Sequence, residues 1–141
     1  MIKLVHVITS MDRGGAQSML QRLVDELEKM GEYHQEIIIL TGKNEYKLHS
    51  NITIHYLNTE INKSLIAKLI EFRALIKSIA PEIIQSWMYH ANFLAFFSGI
   101  SRENIVFNIR HSLHDIKNEK QLTRILIKIC SFMSRYVFKT V

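Results

Sequence analysis

Three stretches of the chain combine residue types and spacings that can do chemistry. The first is Asp12-Arg13-Gly14-Gly15-Ala16, which follows the apolar run IKLVHVITS and leads at once into a helical pattern. Glycine lets the backbone approach an anion closely, and the free N–H groups of a helix's first turn point at it. One reading places a phosphate or sugar oxygen on the amides of Gly14, Gly15 and Ala16. The other is a tight strand-to-helix turn that binds nothing. The stretch is neither GxGxxG nor a Walker loop with its Gly-Lys-Ser/Thr, so the motif supports neither a dinucleotide site nor an ATPase.

The second stretch, Ser86-Trp87-Met88-Tyr89-His90-Ala91-Asn92, is a polar and aromatic patch directly after an apolar run. His90 and Asn92 can hydrogen-bond sugar hydroxyls, while Trp87 or Tyr89 can pack against a ring. A structural role competes in each case. Trp87 ends an apolar run and reads as core, and Asn92 or His90 can cap the helix that follows. The third stretch is Arg110-His111-Ser112-Leu113-His114-Asp115, where an arginine can pair with an anion and a histidine can exchange a proton near neutral pH. Its HxxHD spacing is not a zinc signature, and no third imidazole or thiolate lies nearby in sequence, so no metal site is expected. A Ser-His-Asp triad is set aside because there is no Gly-x-Ser-x-Gly elbow. Glu28 and Glu36 stand at a Glu-x7-Glu spacing, yet Gly31 and a helix end separate them, so they cannot share a helix face.

Alternating apolar elements must position these loops. Residues 1–9 read as a buried strand, and residues 16–30 as an amphipathic helix stopped by Gly31. Strands follow at 36–41 and 51–57, then a helix over 64–79 ended by Pro81. A fourth strand is expected at 83–87, a short helix at 91–98, a fifth strand at 105–110, and a helix at 121–136. A further apolar run, 137–141, begins a sixth strand. This order predicts an α/β fold: a Rossmann-like open parallel sheet with helices on both faces, in one domain spanning 1–141. In such sheets ligands bind outside the carboxyl ends of the strands, where the loops 10–15, 88–92 and 111–115 all fall.

Composition narrows the partners. The chain has 141 residues, 48% hydrophobic and 22% charged, enough for one packed core and not two of ordinary size. The single cysteine, Cys130, excludes a disulfide framework and fits a reducing compartment. No signal peptide and no membrane-spanning run of 18 apolar residues is expected, which points to the cytoplasm. The net charge of +5 is spread along the chain, without the aromatic-interleaved basic face of a nucleic-acid binder. It leans toward an anionic small substrate or an anionic membrane surface at the inner face. In the last helix Leu122, Ile125, Leu126, Ile129 and Met133 form one stripe, expected to pack on the sheet, with membrane contact as the competing reading.

Taken in order, the three stretches resemble a known family. MIKLVHVITSMDRGGAQSMLQRLVDEL is similar to the opening of the retaining GT-B glycosyltransferases of family 4 type, whose first strand runs through Gly-Gly-Ala into a helix. PEIIQSWMYHAN resembles their fourth strand and loop, and IVFNIRHSLHD their fifth. The resemblance covers the whole chain. It implies the N-terminal, acceptor-side domain of an enzyme that moves a sugar from a nucleotide-sugar donor to a glycan or lipid-linked acceptor, with retention and without a metal or other cofactor. It assigns Gly14 and Gly15 to the donor diphosphate, and His111 to the neighbourhood of the transferred sugar. His90 and Asn92, with Asp12, Arg13 and Arg110, border the acceptor side.

The chain departs from the pattern at Gln17, where the family has an acidic residue. The donor-binding C-terminal domain is not represented in these 141 residues, so a truncation and little or no activity alone are expected. An alternative reading is a non-catalytic α/β binding domain that docks on a separate C-terminal half or a membrane complex.

Overall fold

The computed structural model describes residues 1–58, 64–109 and 121–140. Its elements run β1 (Ile2–Ile8), α1 (Gly15–Met30), β2 (Tyr33–Ile39), β3 (Thr53–Tyr56), α2 (Leu65–Ile79), β4 (Ile83–Trp87), α3 (Tyr89–Phe96), β5 (Ile105–Asn108), α4 (Gln121–Met133) and β6 (Lys139–Thr140). The six strands form one sheet in the order β3-β2-β1-β4-β5-β6, and every neighbouring pair is parallel. This is the Rossmann-like open sheet expected from the alternation of elements. The order reverses between β1 and β4, which makes their carboxyl ends the switch point where a crevice opens.

Both faces of the sheet are covered, as parallel strands require. On one face Leu20 and Val24 of α1 pack with Ile8, Ile37, Ile39 and Trp87. On the other, Phe72 and Ile76 of α2 and Leu94 and Ala95 of α3 pack with Val5, Val7, Ile38 and Phe107. β1 is therefore buried on both sides, and its Val5, Val7 and Ile8 have no exposed surface. Trp87 takes the core position expected of it.

The helix ends follow local chemistry. Gly31 closes α1 in the left-handed region at φ 69°. The Ser64 hydroxyl accepts from the Ala67 N–H at 3.2 Å and caps α2. Ala80 ends α2 at φ 51°, where Pro81 disfavours a further right-handed residue.

Beyond shifts of a few residues at the ends of other elements, three elements differ from expectation. β2 starts at Tyr33 rather than 36, because its ladder with β1 runs from Ile2↔Tyr33 to Ile8↔Ile39 and recruits polar residues. Those residues find partners that no local pattern reveals. Gln35 meets buried His6 at 3.1 Å and donates to Glu28 at 2.9 Å, while Glu36 meets His55 at 2.6 Å across to β3. Glu28 and Glu36 thus serve separate networks. α3 begins at Tyr89, two residues early, since Met88 takes φ 73° and ψ 161° and turns the chain straight from strand to helix. That region is nearly exclusive to glycine and costs a side-chain residue roughly 1–3 kcal/mol.

The third difference is the face of α4. Ile127, Cys130 and Met133 are buried. Ile127 and Cys130 pack with Tyr89, and Met133 joins the core beside Phe107. Ile125 and Ile129, placed by the sequence on the packing stripe, are 54% and 40% exposed, and Phe132 lies 59% exposed beside them. Of the expected stripe Met133 is buried and Leu126 packs against the cluster of Tyr89, Ile127 and Cys130, so the helix is rotated and Ile127 and Cys130 take the places expected of Ile125 and Ile129.

Candidate functional site

Because the strands are parallel, the loops after β1, β2 and β4 emerge at one end of the sheet. α1 leaves β1 toward one face and α3 leaves β4 toward the other, so the two helix starts flank the switch point.

The Gly14-Gly15 corner lies exposed at the start of α1. Gly14 is extended (φ −173°), and its N–H donates to the Tyr46 hydroxyl at 3.1 Å. Tyr46 comes from the segment between β2 and β3, and its hydroxyl also meets Ser18 Oγ at 3.2 Å. Ser18 Oγ in turn donates to the Gly14 carbonyl at 2.9 Å. The corner is thus braced from outside, with the phenol holding one N–H that an anion would otherwise take. A side-chain carbon at Gly14 would meet Gln17 Oε1 at 2.5 Å, so Gln17 fills the space under this residue. At Gly15 nothing lies within 4 Å of such a carbon. Neither backbone strain nor internal packing requires glycine at 15; the open space faces outward. First-turn amides have no intrahelical acceptor, and so remain donors for water or a ligand.

Asp12 and Arg13 stand beside the corner, both exposed. Asp12 Oδ1 lies 3.7 Å from where a side-chain carbon on Gly42 would sit. Arg13 Nε reaches Glu45 Oε2 at 4.0 Å, and Met11 is tied to the same segment by Glu45 N–H on its carbonyl at 3.1 Å. The two charged side chains therefore border the segment 42–46 as well as the glycine corner.

At the β4–α3 junction the paired candidates part company. Asn92 has no exposed surface. The amide orientation that satisfies its surroundings has Nδ2 donating to Ser86 Oγ at 2.7 Å, Ser86 O at 3.2 Å and Met88 O at 3.3 Å. Ser86 Oγ is then free to donate to the Val106 carbonyl at 3.4 Å. Asn92 ties α3 to the strained Met88 turn from inside the helix; it is not the helix cap, a position that Met88 holds without a side-chain hydrogen bond. His90 is exposed by area and lines an apolar groove between α2, α3 and α4. Loss of water around the ring lowers its pKa below the ordinary histidine value.

Two buried donors, Trp87 Nε1 and Asn108 Nδ2, have no hydrogen-bond partner among the described residues. They sit in register at the carboxyl ends of β4 and β5. Arg110 and His111, with Ser112, His114 and Asp115, lie outside the described residues. Among the described residues no group of three or more histidine, cysteine or acidic side chains is placed to hold a metal ion. The pattern along the chain did not single out Tyr46, because its partner Gly14 lies 32 residues away. Lys68, which lines the same groove as His90, escaped notice for a similar reason.

No protein-family model matches the chain, and no curated protein matches it.

Proposed function

We propose that the chain is the acceptor-side domain of a glycosyltransferase, supplying one wall of a cleft in which sugar moves from a nucleotide-sugar donor to an acceptor. Gly14 and Gly15 face the donor diphosphate, and His90, with Asp12 and Arg13, borders the acceptor. His111 and Arg110 belong to the same wall by resemblance. The observation that carries this reading is the Gly15 position. It is a glycine with no internal need to be one, on an exposed helix start, at the switch point of a parallel sheet.

Chemistry in such a cleft rests on orientation and on charge stabilisation from both sides. A helix start offers the diphosphate N–H donors and the positive end of the helix dipole. A neutral imidazole, which the lowered pKa of His90 favours, accepts a hydroxyl proton in a hydrogen bond and so can orient an acceptor. The reading assigns the remaining donor contacts to a second domain. The 141 residues alone should therefore bind donor weakly and transfer no sugar. A location at the inner membrane face belongs to the same proposal, supported by the exposed apolar and basic surface of α4.

The test is calorimetric binding of a panel of nucleoside-diphosphate sugars to the chain and to Gly15→Ala. Millimolar affinity in the parent and a loss of about fivefold in the variant are expected, in line with about 1 kcal/mol for one hydrogen bond. Equal affinity in the two proteins would overturn the assignment of the corner, and rapid sugar transfer by the isolated chain would overturn the division between two domains.

A further inference from the structure

The groove beside His90 has a composition that the sugar-transfer reading does not by itself explain. Its volume is about 340 Å³, and its walls include Leu65, Phe93, Leu94, Ile125, Leu126 and Ile129. Among the described residues, the charged or ionisable side chains lining it are Lys68 and His90. A shallower hollow shares Ile125 with it and is lined otherwise by Gln121, Arg124 and Lys128. Among the described residues neither lining includes a carboxylate. Leu65, Ile125 and Ile129 are between 40% and 59% exposed, so apolar surface continues from the walls to the mouth.

We infer that this groove takes the hydrocarbon chain of a lipid phosphate, with Lys68, Arg124 and Lys128 at its rim meeting the phosphate. The inference rests on the glycosyl-transfer reading only for its meaning there: the occupant would be the lipid-linked acceptor, delivered beside His90. The physical case is independent of that. An apolar slot whose described charged neighbours, Lys68, Arg124 and Lys128, are all cationic is complementary to an amphiphile with an anionic head, and mismatched to a neutral glycan, which needs hydrogen-bonding walls. The volume sits near the low end of the ~300–1,000 Å³ of small-molecule sites. Burial of chain carbons in the groove would also cover the exposed leucine and isoleucine side chains that the fold leaves in water.

The experiment follows leucine and isoleucine methyl resonances of the full chain during titration with hexyl, octyl and decyl phosphate, with decanol and inorganic phosphate as controls. Saturable shifts at Leu65, Ile125, Leu126 and Ile129 are expected. Affinity should rise about two- to fourfold for each added methylene, the upper value being that of complete burial. Decanol and inorganic phosphate should each bind at least about tenfold more weakly than decyl phosphate. Lys68→Ala should bring decyl phosphate close to decanol. Ile129→Glu, at an exposed position that tolerates charge, should remove binding while leaving the circular dichroism spectrum unchanged.

Affinity independent of chain length, decyl phosphate no tighter than inorganic phosphate, or shifts centred away from the groove would each overturn the inference. So would a peptide helix that binds the groove more tightly than decyl phosphate. Nucleotide-sugar binding at Gly14 and Gly15 is read separately, so failure of the groove and failure of the glycosyl-transfer reading give different results.

Discussion

At the scale of residues, the glycine corner is held by one long-range side chain. The Tyr46 hydroxyl satisfies the Gly14 N–H and meets Ser18, linking α1 to the segment between β2 and β3. Tyr46→Phe should cost about 0.5–1 kcal/mol in urea unfolding, the usual net worth of a hydrogen bond near solvent. A variant as stable as the parent would mean that the brace is not formed in solution. Gly15→Ala should leave stability unchanged or raise it by up to about 1 kcal/mol, since the site has room and alanine loses less backbone entropy. A large loss in urea unfolding would contradict the open space seen there.

His6 makes a sharper prediction. Burial within the sheet lowers its pKa to about 4, partly offset by the hydrogen bond to Gln35. The unfolded chain then binds a proton that the folded chain refuses between pH 6.5 and 4. Stability from the neutral ring is full above pH 6.5, falls as the pH drops through that window, and levels off below about 4. The total is roughly 3 kcal/mol. His6→Gln, which cannot titrate, should lose about 2 kcal/mol less than the parent between pH 7 and pH 5 in urea unfolding. Identical pH slopes in the two proteins would contradict the buried neutral ring.

At the scale of elements, α4 separates what sequence reveals from what it hides. Its helical period is plain in the residues from Gln121 onward, but its rotation is not. Ile125, Ile129 and Phe132 offer one apolar face, and Ile127, Cys130 and Met133 offer another. Only the shape of α3 and the sheet decides between them. Cys130 reports on the result, because its Sγ lies 3.3 Å from the Tyr89 carbonyl and burial pushes the thiol up to about 11. A disulfide reagent at pH 8 should leave the native thiol unmodified on a timescale on which it reacts fully in denaturant. Prompt native reaction would show that α4 is undocked, and would remove one wall of the groove with it. β2 shows the same limit from another side. Tyr33, His34 and Gln35 do not look like a strand until partners from β1 and α1 are placed around them.

At the scale of the molecule, the open parallel sheet and the placement of the polar loops 10–15 and 88–92 at its carboxyl ends were legible. They follow from the alternation of apolar runs with helical stripes, and from the rule that parallel strands need crossovers. The division of labour within the site was not. Asn92 and His90 lie two residues apart in one patch, yet one locks a strained turn inside the protein and the other faces the groove. That difference depends on Met88, whose positive φ no sequence pattern announces.

The central claim is that one end of this sheet is a wall of a sugar-transfer cleft. It is tested most directly by mapping backbone amide shifts of the whole chain with a nucleoside-diphosphate sugar and, in a separate titration, with a lipid phosphate. The account predicts a weak nucleotide footprint centred on Gly14, Gly15 and Ala16, a lipid footprint over α4 and the start of α2, and an approach of the two near His90. Footprints at the amino ends of the strands, or corner amides that no nucleotide sugar moves at millimolar concentration, would contradict it.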